Sequence, residues 1–564
     1  MPTVTLNKKR VLKLAQVSLT DKELKERIPY LGTDLEDVTD NEIIVEIFPN
    51  RPDLLSEEGF ARALSSFLGK NEGYIRYFAK SSDYVVNITK EVKEIRPFTA
   101  CAVIKNLKFD KQILNDVIEI QEKLHTTYGR NRKKCAIGIY PMEVISWPIT
   151  YTALPPNKIK FIPLDKTQEM TATEILQKHE KGKEYACLLE NKKKYPLFVD
   201  AKNEVLSMPP IINSEKTGKV SFETSEIFVE CSGFEFHTVS KALNMLIAAF
   251  EDMGGTSYQV TLNYEDENPK KIITPELEPE KMILENSYVE KYLGLGLTDK
   301  QIASYLKKMG FEAVIKNKGE LIVLIPSYRA DIIHPIDLIE DVAIGYGFEN
   351  IGSSSKRIYT TGKETYEEKV KRKLREILVG HGLIETNNFS LYNLKEQKKL
   401  LPKKADLFVK VINSVSSEYN SLRENLMIVL LKTIKNNKHY EYPQKIFEIG
   451  TTFRINKLQE TKVEESDSLA VILCSEKSVF TDARKILDSL FSALNIEYHI
   501  KKDESDLYMK GRTGSIFVKG KNIGKIGEIS PFTLEHFELE IPSCGFEIKL
   551  KHVIEALKEI NEII

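Results

Sequence analysis

The stretch 326–348, PSYRADIIHPIDLIEDVAIGYGF, sets the tightest limit on how this chain folds. It carries four carboxylates, Asp331, Asp337, Glu340 and Asp341, within eleven residues, and its other positions are largely apolar. Pro335 suits the first turn of a helix, where its missing N–H costs nothing. A helix from Pro335 to Gly345 spaces Asp337 and Glu340 by three residues and Asp337 and Asp341 by four, so these three acids share one face. Ile336, Ile339, Val342 and Ala343 populate the other side, and Asp331 lies one short loop upstream. Three acids on one face repel each other, so something must compensate. Spacing alone leaves three answers open. One is a helix N-terminus, whose dipole favours acids. Another is a hard cation such as magnesium, which takes oxygen ligands. The third is an interaction face.

The rest of the chain has to supply the cores around this stretch. With 564 residues, 42% of them hydrophobic and 29% charged, it has material for roughly three to five domains and no disordered bulk. A net charge of −1 excludes an overall basic field, so any nucleic-acid contact comes from local patches. The six cysteines form no C-x-x-C pair, which argues against a zinc site or a disulfide framework and for a reducing compartment. The opening MPTVTLNKKRVLKL has no signal-peptide core, and no run approaches the roughly 20 apolar residues that span a bilayer. The expectation is a soluble, cytoplasmic protein with no membrane contact.

In chain order, Thr20 followed by Glu23 reads as a capping box, and Ser56 followed by two acids starts a helix that Gly69 closes. Asn50, Arg51 and Asp53 sit on the intervening strand-to-helix loop, either as a binding group or as an Arg–Asp pair that closes the turn. The basic run YGRNRKK contains Arg130, Arg132, Lys133 and Lys134; it reads as a solvated turn or a contact for RNA phosphates. Further on, SMPPIINSE places Asn213, Ser214 and Glu215 on a loop after two prolines, and EIFVECSG is a strand feeding an apolar-striped helix to Met253. The Ser-rich segment 351–361 is a plausible boundary. Beyond it, helices and strands suggest an antiparallel sheet flanked by helices, with 394–406 a solvated basic surface and Gly524–Pro531 a turn-rich segment. No P-loop, G-x-S-x-G, H-E-x-x-H or kinase signature appears, and the nine histidines do not cluster.

The blocks MPTVTLNKKR, EIFPNRPDLLSEEGFARAL, RNRKKCAIGIY, SMPPIINSE, YLGLGLTDKQIASYLKKMGF, PSYRADI…DLIEDVAIGYGF and KIFEIGTTFR occur in one order. In that order they resemble the β-subunit family of phenylalanine–tRNA ligase in its archaeal/eukaryotic form. The resemblance implies an α+β multidomain chain. It would have an N-terminal α+β domain at 1–90 and an editing-like domain of mixed sheets at 91–265. A winged-helix-like domain with the acidic magnesium motif would follow at 270–350, and a catalytically inactive class II synthetase-like antiparallel sheet with helices at 358–552. It implies an α₂β₂ assembly that attaches phenylalanine to tRNA-Phe with ATP and magnesium, ATP being bound mainly by α. Magnesium would be held by Asp331, Asp337, Glu340 and Asp341, one or two of them through water. The C-terminal part fits an inactive relic, since FEIGTTFR keeps Arg454 but no F-R-x-E follows and G-x-G-x-x-x-E-R is missing.

The central domain would hydrolyse mischarged Tyr-tRNA-Phe. The physical need is clear, because a pocket shaped for an apolar side chain rejects an added hydroxyl only about 10²-fold. Candidates on the matching stretches are Asn213, Ser214, Glu215 and Glu230, with apolar walls from Leu197 and Val199. The alternative is a non-enzymatic scaffold that binds tRNA and α, its editing site decayed.

Overall fold

The computed structural model describes residues 2–109, 111–265, 271–353, 360–477 and 479–560. The chain divides into two compact units, Met1–Ser355 and Lys356–Ile564. Most of the segment 351–361 lies outside the described residues.

The first unit opens with a small antiparallel sheet in the order Thr3–Asn7, Glu42–Glu46, Asp34–Val38. Thr20 accepts from the Glu23 amide while Glu23 reaches back to the Thr20 amide at 2.7 Å, so the capping box forms as its spacing dictates. Ser56 likewise caps the helix Glu57–Phe67.

A large mixed sheet follows. Its strands run in the order Ile212–Asn213, Val205–Met208, Tyr195–Val199, Ile149–Leu154, Val85–Ile88, Thr256–Tyr264, Phe98–Lys105, Ile227–Gly233 and Cys135–Pro141, and Lys271–Thr274 pairs with Thr256–Tyr264. Ile227–Gly233 and Cys135–Pro141 are buried at every position, which is why both read as continuous apolar runs. The helix Phe236–Asp252 packs on this sheet through Val239, Leu243, Leu246, Ile247 and Phe250.

A third sheet, in the order Glu280–Glu285, Glu320–Ile325, Glu312–Asn317, carries the helices Asn286–Leu293, Asp299–Lys308 and Pro335–Tyr346. All three regions share one apolar cluster, which runs from Val4 through Phe60 and Leu246 to Leu306 and Val342.

The second unit is built on a sheet in the order Ile384–Glu385, Gln444–Ile455, Val463–Cys474, Ser543–Lys549, Lys521–Ile529, Tyr508–Val518, Tyr498–Lys502, antiparallel except at Ile384–Glu385. Neighbouring strand residues face opposite ways. Thus Val471 joins the core with Leu374, Leu487 and Val553, while Ile472 joins another with Met427 and Leu430. Two expectations need correction here. Gly524–Pro531 is mostly strand rather than turn, because its alternating Ile526 and Gly527 pair between two neighbours. Residues 394–406 are not simply solvated surface, since the helix Leu394–Leu400 buries Gln397 and Leu400.

Candidate functional site

A cavity of about 430 Å³ opens in the first unit beside the helix Lys111–Thr126 and the strand Cys135–Pro141. Val117, Ile137, Ile139, Ile211 and Val220 give it apolar walls. Leu197 and Val199 do not line it; Leu197 is taken into a separate core with Met208 and Ile211.

Glu230 lies at the buried side of this cavity and is 2% exposed. The strand register sets it directly opposite Gly138. A Cβ on Gly138 would stand 2.1 Å from the Tyr140 hydroxyl and 2.6 Å from Glu230 Oε1, so glycine is what leaves these two side chains their room. The Tyr140 hydroxyl is 2.6 Å from Ser207 Oγ and 3.2 Å from Glu230 Oε1. Glu230 Oε2 is buried and has no hydrogen-bond partner. Burial pushes the Glu230 carboxyl up to about 8. At neutral pH it is therefore mostly a neutral acid, able to donate one hydrogen bond and accept others.

The other candidates separate around this group. Asn213 lines the cavity. Ser214 does not; it is buried in the loop, where its amide donates to the Leu206 carbonyl at 2.8 Å and its own carbonyl accepts from Gly218. Glu215 is also off the lining and ties the loop down, accepting from the Asp165 amide at 2.8 Å and from Lys219 at 2.6 Å.

Arg130, Lys133 and Lys134 are exposed, as a basic turn requires, but Arg132 is not part of that surface. Three successive residues, Arg130, Asn131 and Arg132, hold φ of 50°, 53° and 62°. This left-handed turn costs side-chain-bearing residues energy, and it swings Arg132 inward. Its guanidinium pairs with Glu122 at 2.9 Å, donates to the carbonyls of Pro210 and Ile211, and lies over the Tyr185 ring. Arg132 thus clamps the Pro209–Pro210 loop to the helix that faces it, and the phosphate expectation for it is corrected on that ground.

In the acidic motif the helix runs Pro335–Tyr346. Asp337 acts as a cap: its Oδ2 accepts from the amides of Ile333 at 2.9 Å and His334 at 2.8 Å. Asp331 and Asp341 turn to Arg329, which is 3% exposed. Its Nε and Nη2 fork onto Asp331 at 2.9 and 2.7 Å, and Nη2 also reaches Asp341 at 2.7 Å. Burial pushes the Asp341 carboxyl up to about 6 even so, and Arg329 offsets only part of that. Glu340 is exposed. The buried pair Arg51–Asp53, bidentate at 2.9 and 2.8 Å, closes its own turn and adds its field to Arg329 and Asp331. Among the described residues, the acids whose ligand oxygens gather within 4.8 Å in a group of three are Asp34, Glu36 and Glu46, on the N-terminal sheet. The four acids of the motif do not converge on one point in this chain. Glu340 is exposed, and Asp337 makes both of its capping bonds through Oδ2.

Comparison with known proteins places these features. Residues 1–70 match the family model "Phe-tRNA synthetase beta subunit B1 domain", 282–348 the "tRNA synthetase B5 domain", and 351–550 the "Phenylalanyl tRNA synthetase beta chain CLM domain". The phenylalanine–tRNA ligase β-subunit of Pyrococcus abyssi is 37% identical over 556 residues, covering 98% of this chain and 99% of the relative. Those of Pyrococcus furiosus and Archaeoglobus fulgidus are 38% and 36% identical, again over 98% of this chain. The chain belongs to the phenylalanine–tRNA ligase β-subunit family. A crystal structure of an N-terminal fragment of the Pyrococcus horikoshii β-subunit, 37% identical, matches 61% of this chain and 99% of the fragment with a TM-score of 0.58. Within this β-subunit the acidic motif falls in the B5 match and the Arg51–Asp53 turn in the B1 match. Among the described residues, no helix is long and apolar enough to cross a membrane.

Sequence reasoning passes over Tyr140 and Gly138. The one signal for them is the strand period, which puts residues 138 and 140 on one face; nothing local says that residue 230 sits across from them. The carboxyl they surround yields a pH prediction. Its folded pKa is raised above the unfolded value, so the stability it contributes is complete below about pH 4.5 and lost as pH rises through about 8. Glu230→Gln, a permanent analogue of the neutral acid, should therefore flatten the fall in melting temperature between pH 6 and pH 9 in a thermal scan. An unchanged slope would contradict the assignment.

Proposed function

We propose that this β-subunit, joined to an α partner in an α₂β₂ assembly, supports ATP-dependent attachment of phenylalanine to tRNA-Phe in the α site. We propose further that it hydrolyses mischarged Tyr-tRNA-Phe in the cavity around Glu230. The observation that carries the editing reading is the buried, unpartnered Glu230 Oε2. It lines an apolar-walled cavity within the size range of small-molecule sites. A phenol hydroxyl satisfies that atom and a phenyl ring leaves it orphaned, which is the kind of contrast that separates tyrosine from phenylalanine. ATP is bound mainly by α in this reading, and the protein works in the cytoplasm.

Magnesium belongs to the same proposal. The ion normally takes one or two carboxylates together with waters, and Asp337 and Glu340 offer that much. Asp331 and Asp341 join only by leaving Arg329 or through water. Once bound, the ion would neutralise the acidic face, which the resemblance to the family sets at the boundary with α. Asp337→Asn combined with Glu340→Gln should then weaken magnesium-dependent association with α in sedimentation experiments. Association that ignores both the ion and the substitutions returns the acids to a capping role.

The editing reading is tested by incubating Tyr-tRNA-Phe with the αβ complex and with α alone and following release of tyrosine. Hydrolysis only when this chain is present is the expected result. Background rates in both would leave the scaffold reading in its place.

A further inference from the structure

The second unit holds a cavity of about 500 Å³ on one face of its sheet. Its floor is made of cross-strand pairs: Arg454 opposite Glu464, Thr452 opposite Ser466, and Ser468 opposite Lys549. The charges around it can be matched one by one. Arg454 forks onto Glu464 at 3.0 and 2.8 Å. Lys404 lies 2.8 Å from both oxygens of Glu424. Asp506 faces Lys403 at 3.4 Å, and Glu504 faces Lys510 at 3.5 Å. The Glu547 carboxyl, which burial pushes up to about 7, accepts from the amides of Leu426 at 3.1 Å and Met427 at 3.0 Å, at the start of the helix Met427–Asn436.

Lys549 is left over. It is partly buried, and among the described residues its ammonium has neither an ion pair nor a hydrogen bond. Arg454 Nη1 and the Ser466 hydroxyl also donate to no described protein atom. A fourth lining group, the Tyr508 hydroxyl, is buried with no partner at all. Four donors thus lack acceptors in one cavity. Of the four, the Tyr508 hydroxyl is fully buried, where a donor without an acceptor is costly, while Lys549, Arg454 and Ser466 are half-buried and can turn to a ligand.

We propose that this cavity binds a small anion-bearing molecule, its carboxylate or phosphate group held between Lys549 and Arg454. A cavity of this volume suits a small molecule. A guanidinium and an ammonium lining one cavity suit such a group, the first by its fork of donors and the second as a compact charge. Desolvation, and after it the nearby Arg454, holds the Lys549 ammonium below its ordinary range; an anion set between the two cations would reverse the second effect.

The test uses the full chain and reads each lysine by mass spectrometry after brief acylation of its amines. Millimolar inorganic phosphate and acetate are compared with potassium chloride at matched ionic strength. At several times its Kd, the bound anion should slow labelling of Lys549 about fivefold, as its occupancy requires. Lys485, which lies outside the cavity and whose side chain is 72% exposed, should be unaffected. A response to phosphate alone assigns a phosphate group, and a response to acetate alone assigns a carboxylate. Arg454→Gln should remove most of the protection, and Lys485→Met none of it. Labelling of Lys549 that is unchanged by either anion, or slowed only as much as that of Lys485, overturns the proposal.

Discussion

Glu230→Ala in the αβ complex is expected to lower hydrolysis of Tyr-tRNA-Phe by about 100-fold, the scale on which a single well-placed polar contact acts in a catalytic site. Attachment of phenylalanine should be unchanged. The substitution removes the acceptor for a tyrosine hydroxyl and strips the Tyr140 hydroxyl of its neighbour at 3.2 Å, leaving it with Ser207 alone. Glu230→Gln is the informative companion. It keeps a donor and an acceptor where the neutral acid has them, so it should retain much more activity than alanine. Initial deacylation rates on Tyr-tRNA-Phe and Phe-tRNA-Phe decide the matter. If alanine costs less than about threefold, below the worth of one hydrogen bond to a buried group, then Glu230 does not read the substrate.

The second large effect is on stability. Arg329→Met should destabilise the first unit by about 3–5 kcal/mol, the usual cost of leaving buried charges without their partner. Arg329 holds Asp331 and Asp341 together, lies over the Phe311 ring at 4.7 Å, and accepts Lys241 Nζ on its carbonyl at 2.8 Å. Methionine keeps much of the packing and none of the charge. The only tryptophan of the chain, Trp147, lies in the first unit, so its fluorescence during urea unfolding reports that unit alone. Adding Asp331→Asn and Asp341→Asn to Arg329→Met should recover most of the loss, because amides do not need a cation. A shift below about 1 kcal/mol for Arg329→Met, the size of an ordinary surface change, would mean that the network adds little.

What the sequence reveals here follows the range of the interactions. The Thr20 and Ser56 caps and the helix from Pro335 are set by neighbours three or four residues away, and all are legible. The acidic motif is half legible. Helical spacing puts Asp337, Glu340 and Asp341 on a common side, but a face of that width spans both solvent and core, and Asp341 falls on the buried part. Arg329 stands two residues before Asp331, in a loop where no period applies, so spacing passes over the cation that answers the acids. The cavity is the least legible element. Its lining comes from 117–139, 164–181, 207–220 and residue 230, and only the register of the strands brings these together. The resemblance to a family led to Glu230 and Asn213 there, and it also led to Ser214 and Glu215, whose neighbours in the loop had already engaged them. Arg132 went astray because composition sees a run of cations, whereas three left-handed residues decide which of them faces inward.

The apolar cluster shared across the first unit bears on how the chain is made. The helix Glu57–Phe67 rests against the helix Asp299–Lys308, and Ser66 donates to the Lys307 carbonyl across 241 residues of sequence. At the ribosome's pace of roughly 5–20 residues per second, the later partner emerges about 12–50 seconds after the earlier one. The helix Lys111–Thr126 reaches the N-terminal block early in that interval, through Asp116 on Arg10 and Lys123 on the Leu55 carbonyl, whereas the helix Phe236–Asp252, which also packs on Glu57–Phe67, comes only towards its end. The N-terminal block therefore waits half-built on the ribosome. Until then part of its apolar side stays uncovered, the condition in which a growing chain is most prone to aggregate.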